Sequence, residues 1–279
     1  MRIINLIEDT ATDNGCVAEH GLSFYVETEK HKILVDAGAS DKFMENAVKL
    51  NIDLTQIDTL FLSHGHYDHS GGIIPFSKMN PDAKIYIHEE AAGDYYSEKP
   101  DRTYYAGIDK EIVNLPQTIK IQVDTKVDNE LFIYTNVKGR RQWPQGNSKL
   151  KVQKNGKLYQ DEFEHEQYLI IKADEKEILM SGCAHNGILN ILDRYIELEG
   201  HEPDAVISGF HMMKSGEYTE EEVKTIRQTA LELQKYRTKY YTGHCTGEPA
   251  FIIMKGILGE QIEYVRSGEE VVICFTKNF

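Results

Sequence analysis

The 279-residue sequence has few cysteines, few prolines and no long apolar run. Its four cysteines, Cys16, Cys183, Cys245 and Cys274, form no C-x-x-C pair, which argues against a disulfide framework and favours a reducing compartment. No run reaches the roughly 20 apolar residues of a membrane span, and the first residues lack the apolar middle of a secretion signal. The chain is 41% hydrophobic with only 7 prolines, as in compact globular proteins. We therefore expect a cytoplasmic protein.

Basic side chains are also scarce relative to acidic ones. The chain has 31 lysines and arginines against 45 aspartates and glutamates, which gives a formal charge of −14. This excess repels phosphate backbones and anionic lipid, so we expect neither nucleic acid nor a membrane as a partner. A small anionic molecule is still compatible with a local basic patch, and an oligomer is left open.

Strand-like and helix-like segments alternate along the chain without an internal repeat. Apolar runs such as IDTLFL and DAVISGF fit strands that are buried on both faces. Asn155 and Gly156 predict a tight hairpin turn, and Thr219 with Glu222 predicts a helix start by forming a capping box. The alternation predicts an α/β fold in one domain over residues 1–279, with polar chemistry concentrated where strands end.

The most informative stretch is LFLSHGHYDHSGG, residues 60–72, which follows a predicted strand directly. It contains His64, His66, Asp68 and His69 within six positions, an arrangement with a chance of roughly one in a thousand for this composition. Beside a buried strand, four such side chains must either lose their hydration at high cost or share a cation. Imidazole and carboxylate suit zinc, and they also accept manganese or iron. We therefore predict a metal site here.

Other histidines fall into two groups. His185 in ILMSGCAH and His244 in KYYTGHC also follow predicted strands, so they are candidates for the same site. His20, His31 and His201 stand alone in the sequence, and we interpret them as ordinary structural histidines.

SHGHYDHSGG resembles the signature of the metallo-β-lactamase superfamily, and LVDAG with Asp36 resembles the strand-end aspartate that precedes it. The segments MSGCAHNGILNIL, ISGFH and TGHCTG are similar to one branch, that of the archaeal dihydropterin-ribofuranosylaminobenzene phosphate synthases and related bacterial hydrolases. The resemblance covers nearly the whole chain. It implies a four-layer αβ/βα sandwich with a metal site at one edge of two facing sheets.

The resemblance also implies the ligands of two divalent ions, with zinc as the expected metal and manganese or iron as alternatives. The first ion would be bound by two histidines of the motif and one histidine later in the chain. The second ion would be bound by one aspartate and two histidines. In that order the ligands are His64, His66 and His185, then Asp68, His69 and His244.

Three further residues have weaker assignments. Most of the superfamily has a metal-bridging aspartate where this chain has Cys183, which is either a thiolate ligand or a small buried thiol. His165 competes with His185 as a ligand, although a surface position in a hairpin is the preferred interpretation. Asp36 is expected to support the ligands without touching substrate.

The implied chemistry is hydrolysis of a small phosphate- or ester-containing molecule. Two ions about 3.5 to 4 Å apart would activate a water, and the metal-bound hydroxide would be the nucleophile. Asp68 would orient that water or pass its proton to the leaving group, which makes it the candidate catalytic residue. The alternatives are a pterin-phosphate transferase and a di-iron redox protein. Such redox proteins need a flavin partner, and we expect no flavodoxin-like domain after Phe279.

Substrate contacts are expected from an inserted lid over residues 93–150, which is too long and too aromatic for a plain connection. Residues 138–157 contain seven basic side chains and no acidic one. Arg140 and Arg141 beside Trp143 are candidates to bind a phosphate and stack a flat ring, with a solvated basic hairpin as the alternative. His211 is a candidate substrate contact or a core histidine.

Overall fold

The computed structural model describes residues 1–273, so Cys274 lies outside the described residues. Three β-sheets and six α-helices form within this range. None of these helices combines the length and the apolar character needed to traverse a bilayer.

The first main sheet has six strands. They are β1 (Arg2–Ile7), β2 (Ser23–Glu27), β3 (Lys32–Val35), β4 (Thr59–Phe61), β5 (Lys84–His88) and β8 (Thr118–Ile121). Their spatial order is β1-β2-β3-β4-β5-β8. Strands β3, β4, β5 and β8 run parallel to one another, so their carboxyl ends meet at one edge.

The second main sheet has seven strands. They are β9 (Thr125–Lys126), β10 (Leu131–Tyr134), β13 (Tyr168–Ala173), β14 (Lys176–Met180), β15 (Ala205–Ile207), β16 (Lys239–Thr242) and β17 (Ile262–Tyr264). Their spatial order is β17-β16-β15-β14-β13-β10-β9. The last four in sequence run parallel.

The described residues form six helices. They are α1 (Lys42–Lys49), α2 (Tyr67–Ser70), α3 (Ile73–Met79), α4 (Ile188–Glu199), α5 (Glu220–Leu233) and α6 (Glu248–Leu258). Five of them pack on the outer faces of these sheets, and the short α2 carries residues of the histidine motif. Helix α5 begins at a complete capping box, in which Thr219 and Glu222 each accept a backbone N–H from the other, and this confirms the predicted helix start.

Alternating side chains divide the core into three clusters. Leu34 of β3 belongs to an outer cluster with Phe43 of α1, whereas its neighbour Ile33 belongs to an inner cluster with Met180 of β14. Leu179, next to Met180, belongs to a second outer cluster formed with α4, α5 and α6. Since successive strand residues face opposite sides, both sheets are buried on both faces. The expected four-layer sandwich is confirmed.

A small third sheet lies outside these layers. Its strands are β6 (Tyr95–Lys99), β7 (Arg102–Tyr105), β11 (Leu150–Lys154) and β12 (Lys157–Gln160), in the order β12-β11-β6-β7. Strands β11 and β12 are joined at Asn155 and Gly156, whose φ angles are 51° and 74°, so the predicted tight turn is confirmed.

The segment expected to form one lid is divided in the structure. Residues 118–134 contribute β8, β9 and β10 to the two main sheets, and Ile121 lies in the inner core cluster. The small sheet also contains a second hairpin, formed by residues 150–160, because β11 pairs with β6. The covering element is therefore assembled from two separate hairpins and does not follow the boundaries 93–150.

An ion-paired histidine links the two main sheets at a sheet edge. His31 lies between β2 and β3, with its Nδ1 2.9 Å from Asp58 and its Nε2 2.6 Å from Asp128, which precedes β10. Burial opposes a charged ring, but the hydrogen bonds to Asp128 and Asp58 outweigh it and raise the pKa of His31. His31 therefore has the structural role that we expected.

We expect His31→Ala to destabilise the protein more at low pH than at high pH. The ring is charged in both folded and unfolded chains below its unfolded pKa of about 6.5, where its contribution is complete. That contribution is lost as the pH rises through the raised folded pKa. Because the site is partly exposed, the difference should be about 1 kcal/mol or less.

Urea denaturation of both proteins at about pH 6 and about pH 9.5 measures this difference. His201→Ala removes an exposed histidine and serves as the matched control. An equal cost for His31→Ala at the two pH values would contradict a charged link.

Candidate metal centre

The candidate metal centre lies where parallel strands of both main sheets end. Strand β4 leads into the motif of residues 64–69, β14 leads into residues 183–185, and β16 leads into His244. The topology thereby brings together seven side chains that are far apart in the sequence. They are His64, His66, Asp68, His69, Cys183, His185 and His244.

The histidine rings of this cluster are buried and close to one another. The ring centre of His64 lies 4.6 Å from that of His66, 4.2 Å from that of His69 and 4.9 Å from that of His185. The rings of His69 and His244 are 5.0 Å apart. All five are at most 6% exposed, so charged imidazolium rings would repel one another with little screening.

Three of these rings are held in the neutral form. Burial, reinforced by repulsion from neighbouring histidines, lowers the pKa of His64 and of His185 well below the usual value. Burial and the nearby His165 lower the pKa of His66 to about 3. Near neutral pH each ring therefore offers a nitrogen lone pair, as metal binding requires.

Unpartnered nitrogen atoms show what the cluster can hold. In the described part of the chain, Nε2 of His64, His66, His185 and His244 is buried without a hydrogen-bond partner. Buried polar atoms are nearly always paired, because an orphaned one costs about 1–3 kcal/mol. A cation bound among these rings would satisfy them together. The donors thus fit a divalent metal ion.

Asp36 orients two of the rings. Its Oδ2 accepts hydrogen bonds from Nδ1 of His69 at 2.6 Å and from the Ser63 hydroxyl at 2.7 Å. Since that hydroxyl donates its single proton to Asp36, it must accept from Nδ1 of His64, 2.9 Å away. Nδ1 is therefore protonated in both histidines, and each Nε2 keeps its lone pair for a metal.

The remaining candidate ligands are oriented by residues outside the motif. Asn147 Oδ1 lies 3.0 Å from Nδ1 of His185, and Asp9 Oδ1 lies 2.6 Å from Nδ1 of His244. Glu166 fixes the loop by accepting the backbone N–H of His185 at 2.7 Å. Sequence reasoning missed all three of these supporting residues, because no motif surrounds them.

Cys183 lies between two groups of candidate ligands. Its sulfur and one ligand atom each from His64 and His185 lie within 4.8 Å of one another, and the same holds for Cys183 with His69 and His244. Its sulfur is 3.2 Å from Nε2 of His69. Burial raises the pKa of the Cys183 thiol well above its usual value, so a thiolate at this position needs a nearby cation.

Asp68 faces the cavity beside the rings. Its Oδ2 is 3.5 Å from Nε2 of His244 and 3.8 Å from Nε2 of His69. Burial favours the neutral acid, but the electrostatic influence of the neighbouring His69, His244 and His20 outweighs it and lowers the pKa of Asp68 far below its usual value. The side chain is therefore a carboxylate.

His20 is part of this site, so its interpretation as an ordinary structural histidine was wrong. Its Nδ1 lies 2.8 Å from Asp9 Oδ2, and its Nε2 lies 3.5 Å from Asp68 Oδ2. The ring is about half exposed and lines the cavity. Its neighbours in the sequence carry no site residues, so only the fold reveals its position.

His165 is fully buried, so its expected place on the surface of a hairpin was wrong. Its Nδ1 accepts the backbone N–H of Gly65 at 2.9 Å, and its Nε2 lies 3.1 Å from Asp161 Oδ2. With both nitrogens engaged, the ring supports the turn between His64 and His66 from behind.

A cavity of about 850 Å³ opens onto the centre. The metal-facing residues form one wall, and residues 97–100 and 148–150 of the small sheet and its approach form another. His211 also lines the cavity, with its ring 4.1 Å from that of His185. Its φ of 49° is unusual for a residue with a side chain and is typical of functional sites.

The structure brings only part of the basic tract to this cavity. Arg140 pairs with Glu162, and Arg141 pairs with acidic residues of α4 and α5. The guanidinium of Arg140 lies 5.2 Å from the ring centre of Trp143, but none of the three lines the cavity. The lysines that line it are Lys99, Lys149 and Lys214.

Comparisons with known proteins agree with this arrangement. The profile of the Metallo-beta-lactamase superfamily matches residues 17–140. A crystal structure of Tm1679, a metal-dependent hydrolase of the beta-lactamase superfamily, is 32% identical, has a TM-score of 0.80 and covers 98% of each chain. This chain belongs to the metallo-β-lactamase superfamily. Membership implies binding of divalent metal, which the donors described above fit.

Two relatives in this superfamily come from Methanocaldococcus jannaschii. The 7,8-dihydropterin-6-methyl-4-(beta-D-ribofuranosyl)-aminobenzene-5'-phosphate synthase is 27% identical over 289 residues, which cover 96% of this chain and 95% of the synthase. Protein MJ0448 is 29% identical over 218 residues, which cover 76% of this chain and 80% of that protein. The resemblance to the synthase branch is thus confirmed.

We expect Asp36→Asn to weaken metal binding by about 10- to 100-fold, as is typical when a partner behind a ligand is lost. An amide has one acceptor oxygen, and its NH₂ would face groups that donate. Competition with a chromogenic chelator measures the affinity. Asp53→Asn makes the same change at an exposed cap, where asparagine serves equally well, and should leave the affinity unchanged.

In the metal-free protein, we expect stability to fall on mild acidification. His64, His66 and His185 have folded pKa values below the unfolded value of about 6.5, so the unfolded chain binds more protons below that pH. The free energy of unfolding should then decrease by about 1.4 kcal/mol per pH unit for each ring. Urea denaturation between about pH 6.5 and pH 4.5 tests this, and a flat profile would contradict it.

Proposed function

We propose that the protein is a metal-dependent hydrolase that holds two divalent ions, with zinc as the expected metal and manganese or iron as alternatives. The observation that carries the proposal is the position of Cys183, whose sulfur is shared by two groups of ligand atoms. Thiolate and imidazole together suit zinc. A shared sulfur is where a bridging ligand belongs, and it stands in for the aspartate that is usual in the superfamily.

The two proposed ions divide the cluster between them. The first would be held by His64, His66 and His185, and the second by Asp68, His69 and His244. When bound, such ions supply Lewis acidity and lower the pKa of a water molecule. The chain's own contribution is to keep the rings neutral and aimed, through Asp36, Ser63, Asn147 and Asp9.

Asp68 and His20 are the proposed groups for proton transfer. The Nε2 of His20 lies 3.5 Å from Asp68 Oδ2, and Asp9 holds the opposite nitrogen of the ring. Asp68 is almost buried, whereas His20 is about half exposed at the mouth of the cavity. A proton can therefore pass between the site and solvent along this pair.

The proposed substrate is a small anionic molecule. A cavity of about 850 Å³ suits a compact ligand, and three lysines with His211 surround it. Arg140, Arg141 and Trp143 would take part only if the cover rearranged, since they lie outside the cavity. The formal charge of −14 again argues against nucleic acid, and we propose a cytoplasmic location.

A transferase is the second candidate. The M. jannaschii relative, whose name describes a phosphate-bearing pterin product, aligns over 96% of this chain. Transfer and hydrolysis differ in what attacks the substrate, so the same cavity would serve either reaction by admitting or excluding water.

Elemental analysis paired with turnover of bis-p-nitrophenyl phosphate tests the proposal. About two zinc or manganese ions per chain with turnover are expected for a dinuclear hydrolase. His64→Ala and His69→Ala should each lose metal and activity while keeping the fold. Cys183→Asp restores the usual bridging group and should retain metal, whereas Cys183→Ala should hold less of it.

Other outcomes separate the alternatives. Two iron ions without turnover would favour the redox protein, and product formed only with a pterin substrate would favour the transferase. No metal after reconstitution would refute the central proposal. Circular dichroism of each variant establishes that any loss of metal does not reflect unfolding.

A further inference from the structure

A second thiol, that of Cys245, lies beside Cys183. The two sulfurs and a ring nitrogen of His211 lie within 4.8 Å of one another. The sulfur of Cys245 is also 3.6 Å from the carbonyl oxygen of Cys183. Cys183 follows β14 and Cys245 follows β16, which are not neighbours in the sheet because β15 runs between them.

The residue that follows β15 explains how the thiols come so close. A Cβ atom at Gly209 would lie 2.3 Å from the sulfur of Cys245, far inside van der Waals contact. The backbone of Gly209 is fixed in turn, because its N–H donates to the carbonyl of Gly182 at 2.8 Å. The missing side chain therefore makes room for Cys245 to reach across the end of β15.

Cys245 has no part in the proposed ligand set, yet it shares the cavity. It belongs to neither of the two groups of ligand atoms that flank Cys183. Both cysteines nevertheless line the cavity, although each residue is at most 5% exposed. The cavity therefore offers a small oxidant such as hydrogen peroxide a route to the pair.

We propose that Cys183 and Cys245 form a redox-sensitive dithiol that a hydroperoxide converts into a disulfide. With hydrogen peroxide, one sulfur attacks the O–O bond, which gives a sulfenic acid and releases one water. The second sulfur then displaces the sulfenic hydroxyl as another water and closes the S–S bond. Two thiols lose two electrons and two protons, and one peroxide gains them. A dithiol reductant reverses the reaction by exchange.

The consequence for the metal centre follows from the position of Cys183. Once its sulfur is in a disulfide of about 2.05 Å, it cannot act as a thiolate between the two groups of histidines. Oxidation should therefore release metal, and reduction should restore binding. This consequence rests on the proposed function, whereas formation of the disulfide does not.

The test uses the full chain with Cys16 and Cys274 replaced by alanine, so that only this pair of the four cysteines remains. Metal-free protein is treated with hydrogen peroxide, digested without reductant and analysed by mass spectrometry. We expect a cross-linked peptide that joins residues 183 and 245 and disappears with dithiothreitol. Cys245→Ser and Cys245→Ala should give none. Sulfenic or sulfinic acid at Cys183 without a cross-link would overturn the proposal.

A zinc-loaded sample distinguishes this inference from the proposed function. If Cys183 is a ligand, cross-linking should be at least about tenfold slower with zinc bound, and a chromogenic chelator should detect zinc as the disulfide forms. Equal rates with and without zinc would remove Cys183 from the ligand set and contradict the proposed function, while the disulfide would stand. Zinc that stays bound after complete cross-linking would overturn the link between oxidation and metal release.

Discussion

The buried carboxylate of Asp36 is the constraint on which the metal centre depends. It accepts three hydrogen bonds, from Nδ1 of His69 and from the hydroxyl and the backbone N–H of Ser63. Bonds to a charged acceptor contribute about 1.5–3 kcal/mol each, so one side chain fixes both the end of β4 and the direction of two rings. Its φ of 58° is a strained conformation for aspartate, which the surrounding bonds stabilise.

The half of the centre that belongs to the second sheet is held in a different way. Glu166 accepts the backbone N–H groups of His185 and Asn186 and the hydroxyl of Tyr168, so it anchors the loop after β14. Asp9, which follows β1, reaches across to His244. His244 is therefore aimed by a residue of the other main sheet, so its geometry exists only when both sheets are packed together.

Short-range patterns in the sequence predicted an α/β fold and the cluster of motif residues, and the resemblance to the superfamily implied the sandwich. Strand periodicity located the buried runs, and the spacing of His64, His66 and His69 indicated a metal. Partners that are distant in the sequence were beyond such reasoning, which is why the roles of His20 and Asn147 emerged only from the fold.

The basic tract shows the same limit. The composition of the basic tract indicated the positive charges of Arg140 and Arg141. It could not indicate that acidic side chains from other segments of the chain form ion pairs with them. Likewise, the extent of the covering element depends on the pairing of β6 with β11. No pattern within residues 93–150 indicates that β6 pairs with a strand that continues beyond residue 150.

Asn147 gives the cover a mechanical connection to the chemistry. It lies in the turn that leads into β11, and it both orients Nδ1 of His185 and donates to the carbonyl oxygen of that residue at 2.7 Å. The covering element is therefore connected directly to His185. A displacement of this turn would change the hydrogen bonds to His185, so the position of the covering element and the orientation of that imidazole are coupled.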